Sequence, residues 1–256
     1  MIRKLEKDKW QDLVPILKEN ILENYFNILG LVNDEDVYKE IYIQYSKEEE
    51  IQSIIFIRNS LTIKFYARKE FSYHEVIKFL QTIEYKYLIG PKSYCNLLQD
   101  GFILNNSIKM TDLCTLNLII DKESKLINRI EPLSVSNLDE VIKIYEKSFK
   151  SFASKNVLTK RLEDKRGSAY GIFKGEDLVS VAFTDFESDK EALIVGVATL
   201  AEYRNKGYGS ELVKYLSINL QKRGKKVHLE YESKVAGNIY KRLGFTVVDS
   251  VYKYWN

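Results

Sequence analysis

Arg204, Gly207 and Gly209 follow one another as Arg-x-x-Gly-x-Gly, directly after the apolar run Val197–Leu200 and directly before an amphipathic stretch opening at Ser210. Two glycines between a strand and a helix let an anion approach bare backbone N–H groups. The N-terminus of the following helix adds about half a positive charge. This spacing predicts a phosphate or pyrophosphate held by the N–H groups of Asn205, Lys206, Gly207, Tyr208, Gly209 and Ser210. Arg204 and Lys206 are placed to add charge-assisted bonds; for Lys206, a solvated lysine is an equal reading. A strand ending in Val197, Ala198 and Thr199 offers N–H and C=O groups to an extended amide ligand, as a sheet edge does to a peptide.

A second group of residues bears on proton transfer. His228, Glu230 and Glu232 alternate, so a strand there turns all three to one face. Such polarity is unusual for an interior strand. A histidine titrates in the range suited to a general base; a polar network closed within the sheet is the level alternative. Glu191, near the start of the preceding strand, is another candidate base. Tyr240 is one of 18 tyrosines, so taken alone it reads as a core residue. Two other phosphate loops do not fit. A Walker loop needs Gly-Lys-Ser/Thr, and the dinucleotide fingerprint needs a third glycine where Leu212 stands. Cys95 and Cys114 form no Cys-x-x-Cys pair and read as reduced, buried thiols rather than zinc ligands.

These residues need elements to hold them. A chain of 256 residues has room for one large or two modest domains, and 45% apolar with 29% charged residues predicts a substantial core. A net charge of +3 gives no nucleic-acid footprint, and the short run Glu48–Glu50 reads as a solvated face. No apolar run or N-terminal signal core points to a membrane, so the expectation is a cytosolic protein. Three-and-four spacing predicts a helix over 9–31, with Pro15 near its start. Strand runs follow at 38–45, 51–58 and 61–67, then a helix at 73–81, a strand at 87–89 ended by Gly90-Pro91, a helix through 96–98 and a strand from Phe102. The polar stretch Asp121–Lys125 predicts a boundary between domains 1–124 and 125–256. The order then starts over. A strand is expected at 127–130 with Pro132 in a loop, then helices at 137–149 and 158–162 and a second meander at 169–173, 178–186 and 191–199. After the glycine turn come a helix at 210–223, a strand at 226–231, a helix at 235–243 and a last strand from Phe245. Gln99–Phe102 echoes Arg242–Phe245, which points to a tandem chain with a degenerate first copy.

The stretch Gly196–Ser210 resembles, without a gap, the coenzyme motif of the GNAT superfamily of acyl-CoA-dependent N-acyltransferases. Leu229–Phe245, ending Tyr-x-x-Leu-Gly-Phe, resembles that family's C-terminal motif. The resemblance covers about residues 127–256, and the first half resembles the accessory half of tandem members only loosely. It implies an α/β fold with a mostly antiparallel mixed sheet whose central strands splay apart. It also implies acetyl-CoA as acyl donor, with pantetheine along Val197–Thr199 and pyrophosphate on residues 205–210. Tyr240 matches the family's general acid, and His228 stands where some members carry a glutamate base. Ser233 replaces a usual asparagine, which puts one hydrogen bond to coenzyme or backbone in doubt. The acceptor implied is an amine, of a small molecule or a protein. A non-catalytic acyl-CoA-binding module is the rival expectation and a nicotinamide-dependent oxidoreductase a distant third. The aromatic last strand, 247–255, offers pairing across a homodimer.

Overall fold

The computed structural model describes residues 1–33, 37–68, 70–99, 107–117 and 128–255. The chain divides into two compact units: Met1–Leu113 with Val248–Asn256, and Cys114–Val247.

In the first unit the expected long helix is broken into short pieces. A 3-10 stretch leads into α1 (Leu13–Leu17), and a second 3-10 turn leads into α2 (Ile21–Val32). Asn20 accepts from the Glu23 N–H and starts α2, a cap that the apolar spacing did not reveal. The strands β1 (Ile2–Lys4), β2 (Tyr38–Tyr45), β3 (Ile51–Arg58) and β4 (Thr62–Ala67) form an antiparallel meander. Helix α3 (Tyr73–Leu80) carries the chain across to β5 (Tyr87–Pro91), which lies parallel to β4. Gly90 and Pro91 are thus the end of β5 itself. Helix α4 (Lys92–Gln99) follows. The last residues of β12 (Phe245–Trp255) add to β5 with Val251 opposite Pro91 and Trp255 opposite Tyr87. This is the strand the sequence offered to a second copy; its partner is β5.

The second unit repeats that order. β7 (Ile130–Leu133), β8 (Ala169–Lys174), β9 (Asp177–Asp185) and β10 (Glu191–Thr199) run antiparallel to one another. Pro132 sits within β7 rather than in a loop. β7 is the edge strand, where a missing N–H costs no ladder bond. Between β7 and β8 lie α5 (Leu138–Ser148) and α6 (Lys155–Glu163). Helix α7 (Tyr208–Lys222) leads to β11 (Lys226–Tyr231), parallel to β10, and α8 (Lys234–Arg242) follows. Beyond β11 comes the end of β6 (Ser107–Leu116), a strand with no clear signal in the sequence. The boundary at 124/125, the strand at Phe102, the echo at Gln99–Phe102 and the start of the strand at Ile127 fall wholly or partly outside the described residues.

Two cores cover the faces of the second unit's sheet. Leu138, Val141, Ile144 and Tyr145 of α5 pack on Val181, Phe183 and Ala198. Leu212, Val213, Leu216 and Leu220 of α7 pack on Ala192, Ile194, Val227 and Leu229, together with Tyr240 and Phe245. Arg161 of α6 meets Asp185 of β9 through Nε at 2.8 Å, both buried, which fastens helix to strand.

Candidate active site

β10 and β11 are paired from Glu191↔Lys226 to Ile194↔Leu229, and there the ladder ends. Against β9 the register of β10 shifts between Val195 and Ala198, and Gly196 lies in the left-handed region at φ +61. This is a β-bulge, which bends a strand and redirects its groups. The Leu200 N–H bonds the Val179 carbonyl, and Ala198 is opposite Val181. By the antiparallel alternation Ala198 also faces β9, so Thr199 turns its backbone groups to the open side, and Val197 lies in the bulge itself.

The glycine turn stands above this opening. Asn205 (φ 60) and Gly207 (φ 86) are both left-handed, a conformation asparagine and glycine tolerate. Gly207 is the N-cap of α7 and no side chain caps the helix. Its first N–H groups therefore lack side-chain partners and can serve an anion. A Cβ on Gly207 would project into open space, where a ligand would lie. Helix α7 starts at Tyr208, two residues earlier than expected, so Tyr208, Gly209 and Ser210 form its first turn. The Tyr208 ring is buried against Lys174 Nζ at 5.1 Å, leaving its N–H as its contribution to the turn. The cradle thus fits a diphosphate, with two qualifications on charge. Arg204 Nε donates to the Thr199 carbonyl at 3.0 Å, and Lys206 Nζ lies 5.1 Å from the centre of the Tyr203 ring.

Tyr240 is 8% exposed, its ring 5.8 Å from that of Tyr231 and 6.0 Å from that of Phe245. Tyr231 ends β11, past the last pair with β10, so Tyr240 packs where the two strands have parted. Burial, helped by Cys114, pushes the phenol up to about 12. Gly237 makes this packing possible, because a Cβ there would overlap the Tyr231 ring. Ser233, expected near the coenzyme, accepts from the Ala236 N–H at 3.2 Å and caps α8.

His228 is 4% exposed and opposite Leu193, before the opening begins. Its Nδ1 lies 2.9 Å from Thr115 Oγ1 and its Nε2 3.7 Å from Glu191 Oε1. The proximity of His228 holds the Glu191 carboxyl below its usual range, against the opposing effect of burial. Thr115 belongs to the overlooked β6, so this row of Glu191, His228 and Thr115 was only partly legible. Glu230, on the same face, is the first β11 residue past the last pair; Glu232 lies beyond the strand and is exposed. Cys95 and Cys114 are buried thiols that form no disulfide. Among the described residues no cluster of His, Cys, Asp or Glu could hold a metal, and no helix is long and apolar enough to cross a membrane.

Residues 169–255 match the family model described as FR47-like protein. No curated protein matches the sequence. Among solved structures, a GNAT-family acetyltransferase from Colwellia psychrerythraea aligns with a TM-score of 0.72 at 12% identity, over 100% of this chain and 99% of its own. An N-acetyltransferase from Sphaerobacter thermophilus aligns with 0.61 at 13% identity, covering 99% and 94%. One from Kribbella flavida gives 0.58 at 15%, covering 80% and 86%. These likenesses establish the fold, and they extend beyond the motif-bearing half. The chain therefore has the mixed α/β fold of the GNAT acetyltransferases, with an FR47-like domain at its C-terminal end.

Proposed function

We propose that the chain is an acetyl-CoA-dependent N-acyltransferase whose reaction takes place at the opening between β10 and β11. The observation that carries this reading is the end of their ladder at Ile194↔Leu229, directly below a glycine turn at a helix N-terminus with no side-chain cap. In this reading Val197, Ala198 and Thr199 run beside the pantetheine amides. The N–H groups of residues 205–210 take the pyrophosphate.

In the reaction the amine nitrogen bonds to the thioester carbonyl carbon, the carbon–sulfur bond breaks, and one proton passes from nitrogen to sulfur. The Val197 N–H donates to the carbonyl oxygen as it gains charge. Tyr240, kept protonated by burial, donates toward the sulfur. A thiol of ordinary pKa, about 8.5, is a stronger acid than this phenol, so the phenol contributes through a strengthened hydrogen bond rather than by becoming a free phenolate. An alkylammonium of pKa about 10.4 must lose a proton before it can attack. Glu230, just past the last pair, is the base in this account, and His228 with Glu191 and Thr115 forms the polar row beneath it. The acceptor is a primary amine on a small molecule or a protein, and the buried cysteine thiols suit the reducing cytosol.

A coenzyme-binding module without turnover is the competing reading. It is favoured by Arg204 and His228 being engaged within the chain. Release of free thiol from acetyl-CoA across a panel of amines separates the two. Amine-dependent release supports the transferase, and tight binding with no release under any amine supports the module.

A further inference from the structure

We propose that Tyr145 of α5 is a positioning residue for acyl transfer, its hydroxyl fixing the Gly196–Val197 peptide so that the Val197 N–H is aimed at the thioester carbonyl. This rests on the acyl-transfer reading above.

Tyr145 Oη donates to the Gly196 carbonyl at 2.8 Å. The peptide is trans, so drawing the carbonyl toward α5 directs the Val197 N–H the other way. Val197 lies in the bulge between the pairs Val195↔Phe183 and Ala198↔Val181, beyond the last pair with β11, so the Tyr145 bond rather than a ladder partner sets its peptide. The fit is close on both sides. Gly196 is left-handed, and a Cβ there would overlap the Tyr145 hydroxyl, so only glycine leaves room for the phenol at the bulge. The ring is held in turn by the edges of Phe149 and Phe152 and by a tilted contact with Phe183, at centroid distances of 5.2, 5.6 and 6.3 Å. Burial raises the phenol well above its usual pKa, so at neutral pH it is protonated and a donor. A buried tyrosine that merely filled the core would need no such match to a strained glycine. In aligning a donor before the substrate arrives, Tyr145 lowers the reorganisation needed as charge develops.

The test reads the bond itself. The infrared carbonyl stretch of acetyl-CoA, carbon-13 labelled at the thioester carbonyl, is compared free and bound to the full-length protein. Wild type is expected to lower the frequency on binding. Tyr145→Phe is expected to lose most of that shift while binding acetyl-CoA within about threefold of wild type, since phosphate contacts are untouched. With an amine that turns over, kcat should fall about tenfold at constant amine KM, less than the 10²–10³ typical of deleting an oxyanion donor outright. An unchanged carbonyl shift and kcat in Tyr145→Phe overturns the inference. Gly196→Ala guards against a variant that simply folds badly. It should lose both the shift and affinity for acetyl-CoA through steric conflict with the Tyr145 hydroxyl, and adding Tyr145→Phe should restore affinity without restoring the shift; recovery of the shift in the double variant also overturns the inference. If wild type binds no acetyl-CoA, the acyl-transfer reading itself fails, a result distinct from these.

Discussion

At the scale of single residues, the roles divide between side chains that face the opening and side chains that shape it. Tyr240 is proposed as one of the first kind. Burial keeps it protonated, and its packing from α8 against Tyr231, which ends β11, brings it near the parting of the strands. Tyr240→Phe is expected to lower turnover by about 10²-fold, a typical loss for deleting one hydrogen-bond donor to developing charge, with acetyl-CoA affinity within about twofold. Full activity in steady-state assays would remove the phenol from the chemistry. Gly196, Gly237 and Tyr145 are of the second kind. The first stood inside a recognisable motif, but its left-handed φ and its pairing with Tyr145 were not readable from it, because contact between residues 51 apart in sequence leaves no local pattern. Arg204 shows the reverse: its type and spacing suggested phosphate, whereas its Nε is bonded to the Thr199 carbonyl.

At the scale of elements, the opening exists because β10 and β11 are tied at one end and released at the other. Glu187, in the loop before β10, accepts from Thr184 Oγ1 and meets Lys225 Nζ and Arg223 Nη1, each at 2.9 Å, at the start of β11. Burial disfavours its charge, yet the bonds from Thr184 and Lys225 and the charges of Arg223 and Lys225 prevail and hold the carboxyl below its usual range. A carboxyl depressed by folding contributes stability that is complete above the unfolded pKa of about 4.3 and is lost as pH falls through the folded value. Glu187→Gln should therefore flatten the fall of Tm between about pH 5 and 3, measured by calorimetry. An acid limb identical to wild type would show that the cluster does not carry it. Strands with an even β-branched pattern, such as 38–45, 51–58 and 226–231, were legible to the residue. β6 was not, because its apolar Ile108 and Met110 are exposed and its first four residues bury no face. Pro132 reads as a loop residue because sequence does not say which strand is an edge.

At the scale of the molecule, each unit has the same strand order: an antiparallel four-strand run, a parallel neighbour, then a segment from a distant part of the chain. That order of elements was visible in the sequence. The closing segments were not, since pairing between distant segments has no local sequence signal. The first unit's core contains Tyr254, 1% exposed, from the extreme end of the chain. Tyr254→Ala should cost about 3–5 kcal/mol, as for other large aromatic deletions. Hydrogen exchange should show the loss in residues 1–113, and protection that falls equally throughout 114–247 would contradict that assignment. The central claim is that the backbone around 205–210 grips the diphosphate of a thioester carrier, and calorimetric titration of acetyl-CoA into wild type and Gly207→Val tests it most directly. The account predicts binding with a Kd between about 1 μM and 1 mM for wild type and none for the variant, whose branched side chain stands in the anion's place in a backbone it cannot easily adopt. Equal affinity in the two proteins would contradict it.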